Sequence, residues 1–578
     1  MILFFFSLIF LISFFTLRPS FNLSLNGDDW LAFFRYIQHL ETHSDYGFLE
    51  YLLSSYGTQD ISMGILFKFF GANSMPYFLI SYFLRLLAAF SLYPIAYYLT
   101  KNKLASLYSV LFFSITIIGF DTTNWVANMP SYISVTFFNL FLYTFLKSRE
   151  ERGFKLLGFS LLFFYLTYVI APIRMTGLLP FILIIELFWL AIKHNRETSK
   201  KLGLRLGLMA GVFLFISLTG HSSGIANDWS ERLNTGITTI STLLSFGLFD
   251  FPFYTLIIFG DMIFPASILF LKNGSILEKN LHLFLTVIFF IFLLIHSLLT
   301  GRKIAYIIRN IVIGASWLFI IWVISVTNQY FFSNPKNIIL LTVGGYTLIT
   351  AIFLFAKSKN DPDFLNSIFV AISWSFLGFL LPWLWVPYVL YPSFYRYLIP
   401  SAVGISLFFA ILITNLLKPK TKIIALGLSL TILIIHILAT RIYINELLSV
   451  RSSQIVDKIW AKLSNISQLK NSKDRLFFYI EGDETNQGIL ENSIAFGFTY
   501  HMEVLYKIDE REERPPGIIT EWDELVSAVT TGQTKKNYQL YGKKINPDLI
   551  YAYHLEGKDN LIEITDIVRD KLKELALQ

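Results

Sequence analysis

The chain has 578 residues, 54% of them apolar and only 15% charged, with 58 Phe and no Cys. Soluble domains carry about 25% charged residues, so this composition excludes a string of ordinary soluble domains. The lack of cysteine excludes disulfide scaffolds, thiolate zinc sites and thiol nucleophiles. The formal net charge of +7 is unevenly placed: residues 1–440 hold 29 Lys and Arg against 18 Asp and Glu, while 441–578 hold 18 against 22. A long membrane domain, 1–440, followed by a small water-soluble domain, 441–578, is therefore expected. The basic excess lies in short loops between apolar stretches, where it orients a membrane protein and gives no sign of a nucleic-acid partner.

A helix needs about 20 apolar residues to cross the hydrocarbon. Candidate stretches are 2–17, 76–99, 104–119, 127–146, 155–171, 176–192 and 206–219, then 252–271, 281–300, 304–326, 337–356, 365–386, 397–417 and 423–440, with a weaker one at 236–250. The first lacks a basic flank and a small-residue cleavage site, so it reads as a span and not a removed leader. The expectation is an all-α polytopic domain of 13–15 spans. Lys101/Lys103, Lys147/Arg149/Arg152/Lys155, Lys193/Arg196/Lys200/Lys201/Arg205, Arg302/Lys303, Lys357/Lys359 and Lys418/Lys420/Lys422 should all face the cytoplasm. They agree if the N-terminus is inside and 236–250 also crosses, which puts the C-terminal domain outside.

Residues 18–75 then form a large first external loop. Asp28-Asp29-Trp30-Leu31-Ala32-Phe33-Phe34-Arg35-Tyr36-Ile37 has helical spacing of Leu31, Phe34 and Ile37 and predicts an amphipathic helix along the membrane surface, with Asp28 as its N-cap after an Asn26-Gly27 turn. A second such helix is expected over 45–56. In the tail, the pattern predicts a helix over 446–470, a strand at Arg475–Ile480 and a terminal helix over 564–576, which together read as a small α/β domain.

Charge close to lipid is expensive unless it works or is solvated. Asp28 and Asp29 are two adjacent carboxylates just outside the first span: one suits a general base, with its neighbour orienting an acceptor or a metal ion. The plain alternative is a helix cap with ordinary interfacial charge. Arg396 lies in Tyr395-Arg396-Tyr397-Leu398-Ile399-Pro400, at the outer mouth of a span. A guanidinium there suits a lipid-linked phosphate, or simply snorkels in an aromatic belt. Arg174 in a short external turn is a second phosphate candidate, and Asp121, ahead of Trp125, is a lone acid in another. Gly220-His221-Ser222-Ser223-Gly224 fits a hydrolase elbow but lacks the soluble sheet that the motif requires. His39 and His43 share a helix face without the H-E-x-x-H order. Lys535-Lys536 and Lys543-Lys544 read as a solvated face. No Walker A and no G-x-G-x-x-G occurs.

Taken in chain order, these pieces resemble the GT-C superfamily of membrane glycosyltransferases, which use polyprenyl-phosphate sugars. Asp28-Asp29-Trp30 is similar to that family's first-loop acidic pair. Asp121 four residues before Trp125 is similar to its second acidic loop. Arg174-Met175-Thr176-Gly177-Leu178-Leu179-Pro180 and Tyr395-Arg396-Tyr397-Leu398-Ile399-Pro400-Ser401 resemble segments of its protein O-mannosyltransferase-like branch. Met175 stands where the family often has Glu, and Asn128-Met129 where it often has Gly-Arg.

The resemblance implies inverting sugar transfer to an acceptor hydroxyl of a glycan, lipid or protein. Asp28 or Asp29 would be the base. Arg396 and Arg174 would hold the donor phosphate, and Asp121, Trp125, Tyr395 and Tyr397 would line the substrate. A divalent cation, Mg or Mn, serves some relatives. The implied location is a bacterial plasma membrane, with site and tail outside the cytoplasm. A transporter or lipid flippase, which binds near the midplane, and a non-catalytic membrane scaffold are the competing readings. An O-antigen ligase or polymerase is a nearer enzyme alternative. The sparse mid-span charge (Arg85, Glu186, Asp261, Arg309) favours an interfacial enzyme.

Overall fold

The computed structural model describes residues 2–577 except 44–46, 55, 150–153, 171–174, 176–177, 194–195, 219–233, 235–236, 239–240, 242–249, 302, 328–332, 386–395, 418, 420, 464–473, 485, 507–515 and 534–542. The chain divides into two compact units. The first comprises Met1–Arg18, Tyr82–Thr122 and Ser131–Tyr443; the second comprises Pro19–Ser81, Thr123–Pro130 and Ile444–Gln578. The fold class is the expected one, a body of apolar helices and a small C-terminal α/β sheet structure. Among the described residues nine helices are long and apolar enough to cross a membrane, and five more apolar helices of 10–17 residues accompany them. The stretch 236–250 lies almost wholly outside the described residues.

In the first unit, bulky aromatics fill the space between helices. Phe138, Phe181 and Trp374 form one such cluster, with ring centroids 5.2–6.4 Å apart. Small residues let other helices approach: a Cβ on Gly260 would lie 1.9 Å from the Leu340 carbonyl oxygen, and one on Gly344 2.1 Å from that of Leu256. Close packing of this kind carries helix association in lipid, where hydrophobic burial contributes little. The span expected over 252–271 is broken. Helix Asp250–Ile263 stops ahead of Pro265, and a short turn Ala266–Leu269 follows. Proline has no N–H to continue the ladder, and the Asp261 carboxylate takes the Ser267 N–H and hydroxyl instead.

One end of this unit collects the basic loops. Glu186 is clasped by Arg149 Nη2 at 2.7 Å and Arg205 Nη2 at 3.2 Å, and all three are buried there. Arg149 also donates to Asn366 Oδ1, Lys357 Nζ to the Leu299 carbonyl, and Ser367 Oγ to the Leu99 carbonyl. Loops near 99–103, 145–149, 186–205, 299–303 and 357–367 therefore share one end. They carry five of the basic clusters expected on a single side of the membrane.

The second unit is built on a sheet ordered β2-β1-β3-β4, with β1 Phe477–Gly482, β2 Gly517–Ile519, β3 Ile550–Glu556 and β4 Asn560–Glu563. β1 pairs parallel to β2 and β3, and β3 pairs antiparallel to β4. Alternation along β1 sends Phe478 and Ile480 to a core with Val456, Ile459, Trp460, Phe498 and Met502. It sends Phe477 and Tyr479 to another with Leu525, Val529, Val568 and Leu572. Helices cover both faces, which is why β1 reads as an unbroken apolar run.

The helix expected over 446–470 is two helices, Lys422–Arg451 and Ser453–Leu463. The chain between them is drawn into a bridge: Ser452 pairs antiparallel with Leu23, and the Arg451 carbonyl accepts the Ser24 N–H at 2.8 Å. Within the expected 45–56 helix lies a short one, Phe48–Leu52, and the next, Gly57–Phe70, begins just beyond it.

Candidate functional site

The acidic pair sits on helix Gly27–Tyr36 of the second unit. The helix is not laid on a membrane surface by its apolar face. Trp30, Phe33 and Phe34 are buried against protein, among them Phe67, Tyr77, Tyr500 and His501. The His501 ring is stacked 3.6 Å from Trp30 and 3.6 Å from Trp460, centroid to centroid. Burial pushes this imidazole well below its ordinary range, so it packs as a neutral ring. At the helix start, a Cβ on Gly27 would lie 2.7–2.9 Å from Phe496 and the Gly497 nitrogen, and Gly497 has φ +84°. Only glycine serves both positions at this approach.

The N-cap is Asn26 and not Asp28. Asn26 and Asp29 form a reciprocal capping box: Asp29 Oδ2 accepts the Asn26 N–H at 2.9 Å, and Asn26 Oδ1 accepts the Asp29 N–H at 3.4 Å. The second Asp29 oxygen accepts the Ala127 N–H at 2.8 Å. Asp29 is fully buried, and burial outweighs these amides and raises its carboxyl to about 7. Asp28, one residue earlier in the same helical turn, is only half-buried. The two carboxylates thus have different surroundings: Asp29 is spent on backbone, while Asp28 retains access to solvent.

Another buried acid on this loop was not signalled by sequence. Asp60 accepts the Tyr51 hydroxyl at 2.7 Å and faces Arg35 Nε at 3.3 Å, and burial raises it to about 7 against the pull of Arg35. Trp125, in the second unit, is half-buried with its ring edge-on to Phe496. Arg451 was also missed. Its guanidinium donates to the Ser24 carbonyl at 2.9 Å and to the Asn124 carbonyl at 3.2 Å. No spacing rule marks it, because its partners are 427 and 327 residues away in the chain.

In the first unit, the Asp121 and Arg396 segments meet. Thr122 Oγ1 donates to the Arg396 carbonyl at 3.3 Å, and a Cβ on Gly119, at φ +70°, would fall 2.6 Å from the Ile399 Cα. Asp121 accepts the Tyr443 hydroxyl at 2.7 Å. Arg396 lies over the Tyr397 ring, 5.0 Å from its centroid, and donates to the Tyr397 hydroxyl. These residues follow or precede helix ends opposite the basic loops: Lys103–Ile115 leads to Asp121, and Ile399–Leu416 runs from Arg396 toward Lys422. Arg85 binds the end of the first of these helices, donating to the Phe113, Ser114 and Thr116 carbonyls and to the Tyr132 hydroxyl.

Arg174, Tyr395 and the Gly220–Gly224 motif lie outside the described residues, as do Lys535 and Lys536. Met175 is buried in the apolar core, its carbonyl accepting the Tyr168 hydroxyl. Lys543 and Lys544 are exposed. Among the described residues no three His, Asp or Glu side chains gather as a metal site, His39 and His43 included.

No protein-family profile matches the chain, and no curated protein matches it. Solved structures similar in backbone are of the archaeal oligosaccharyltransferase AglB of Archaeoglobus fulgidus. One is in complex with an inhibitory peptide and a dolichol-phosphate, one is the apo form, and one is tethered to an acceptor peptide containing the NVT sequon. Each is 12% identical with a TM-score of 0.46; they cover 96% of this chain, and the chain covers 68–69% of theirs. A likeness at that level describes a backbone and assigns no activity.

Proposed function

We propose that the protein is a membrane glycosyltransferase of the GT-C kind, moving a sugar from a polyprenyl-phosphate carrier to an acceptor hydroxyl at the extracytoplasmic face. The observation that carries this reading is the division of labour within the acidic pair. Asp29 is locked by three backbone-linked bonds, and half-buried Asp28 stands beside it on the first helical turn. A general base must be within reach of the proton it takes. In the proposed step Asp28 takes the proton of the acceptor hydroxyl. The acceptor oxygen bonds to the anomeric carbon as the bond from that carbon to the phosphate oxygen breaks. Polyprenyl phosphate leaves with the electron pair, and the configuration inverts. Arg396, with Arg174, supplies positive charge to the leaving phosphate, where negative charge grows in the transition state.

The charges within the apolar helices, with Glu186 at the basic end and Arg85 at the opposite one, support an enzyme over a transporter. Glu186 is held by two arginines, Asp261 by Ser267, Arg85 by helix-end carbonyls, and Arg309 lies over the Tyr306 and Phe353 rings. Each is engaged by its own fold. A transporter's midplane charges would instead face a substrate.

The test is reconstitution of the full chain in lipid nanodiscs with a panel of polyprenyl-phosphate sugars, measuring released polyprenyl phosphate. Release by the wild type that is lost in Asp28→Asn supports the reading. Equal release from both proteins, or none from the wild type with any donor, overturns it.

A further inference from the structure

The bonds that lock Asp29 depend on two stretches of chain far apart in sequence. One is Ser24-Leu25-Asn26, which enters the helix and supplies the capping amide. The other is Asn124–Ala127, which supplies the second amide. A single side chain reaches both. Arg451 Nη2 donates to Ser24 and to Asn124, while the Arg451 carbonyl accepts the Ser24 N–H. Arg451 is 7% exposed. Its bridge neighbour Ser452 holds Leu23 in register.

We propose that Arg451 is a positioning residue for the acidic pair, its guanidinium fixing both the chain that enters the Asp28-Asp29 helix and the turn whose amide holds Asp29. The inference rests on the transfer reading above for its catalytic meaning, but its geometry stands on these bonds. The two N–H bonds of Nη2 are fixed in the guanidinium plane, so this one nitrogen serves two carbonyls on different segments. A lysine ammonium keeps the charge on a flexible stem and loses that fixed plane. The charge of Arg451 also opposes the upward push that burial exerts on Asp29, so the residue acts on both the place and the ionisation of that carboxyl. Loss of the Nη2 donor frees Ser24 and Asn124 together, and with them both amides that Asp29 accepts from.

The test compares the wild type with Arg451→Lys and Arg451→Met in the full chain, by hydrogen exchange of peptides covering 24–30 and 124–129. Exchange at least about tenfold faster in both variants, with β1 amides unchanged, is expected, since exchange reports local opening. Arg451→Lys exchanging like the wild type would show that charge alone suffices and would overturn the proposal; this arm is readable even where Arg451→Met does not fold. In the nanodisc assay, kcat should fall in Arg451→Lys with donor KM unchanged. Faster exchange with an unchanged kcat would also overturn the positioning role. Absence of any transfer by the wild type refutes the transfer reading alone, and the exchange result still decides whether Arg451 holds the two segments.

Discussion

Two buried carboxylates, one in each unit, are held by opposite means. Glu186 of the first unit sits between two guanidinium groups at 2.7 and 3.2 Å. Asp29 of the second unit is held by two backbone amides at 2.8 and 2.9 Å. The first arrangement neutralises the carboxylate in place, which makes it a fastener between loops. The second orients the carboxyl without cancelling its charge, and burial brings it to about 7, where both protonation states are within reach at neutral pH. The comparison therefore separates an acid whose charge its neighbours cancel from one whose charge they leave in place.

The largest expected effect concerns Asp28, the more exposed neighbour of Asp29. Asp28→Asn removes the proposed base and should lower sugar transfer by about 10²–10⁴-fold, with expression and thermal midpoint unchanged. Activity within a factor of two of the wild type would remove Asp28 from the mechanism. Next in size is the fastener. Glu186→Ala leaves two buried guanidiniums facing each other, and breaking a buried pair costs about 3–5 kcal/mol. Thermal unfolding in detergent should show it, and an unchanged midpoint would mean that water already screens the cluster. Smaller again is Arg396→Ala. A hydrogen bond to a charged group contributes about 1.5–3 kcal/mol, so donor use should weaken by roughly ten- to a hundredfold, read as a rise in donor KM.

How far the sequence anticipates the structure depends on how local each cause is. The apolar helices and the strand through Phe477–Ile480 follow from runs of side chains, and the structure has them. The shared end of the basic loops follows from charge placement, and Arg149 and Arg205 meeting on Glu186 is its structural counterpart. The helix expected on the membrane surface is instead covered by protein: periodicity shows that Trp30, Phe33 and Phe34 share an apolar environment and cannot show what covers them, and Tyr500 and His501 do so from more than 460 residues away. Asn26 and Asp28 are both good caps by type, and the reciprocal box between Asn26 and Asp29 sets the helix start at Gly27. Asp28, Asp29, Asp121 and Arg396 were legible as scarce charges at helix ends. Tyr443 and Arg451 were not, since their partners come from chain segments over 300 residues away.

The last effect is read as a slope against pH and isolates the ionisation of Asp29. Its ordinary value of 3.8 is raised to about 7 in the fold, mainly by burial. Between about pH 4 and 7 the native state therefore holds a proton that the unfolded chain releases. Stability is greatest below that window and declines as pH rises through it, by at most about 1.4 kcal/mol per pH unit. Asp60 has the same raised value and the same sign, so the wild-type profile sums both. Asp29→Asn removes one contribution and should make the fall in thermal midpoint from pH 4 to 7 shallower, leaving the slope due to Asp60. Glu186→Ala should lower the midpoint while leaving the two aspartate contributions in place, because neither Asp29 nor Asp60 depends on that clasp. If Asp29→Asn leaves the pH slope unchanged, the carboxyl is ionised throughout, and the amides hold it as firmly as the two arginines hold Glu186.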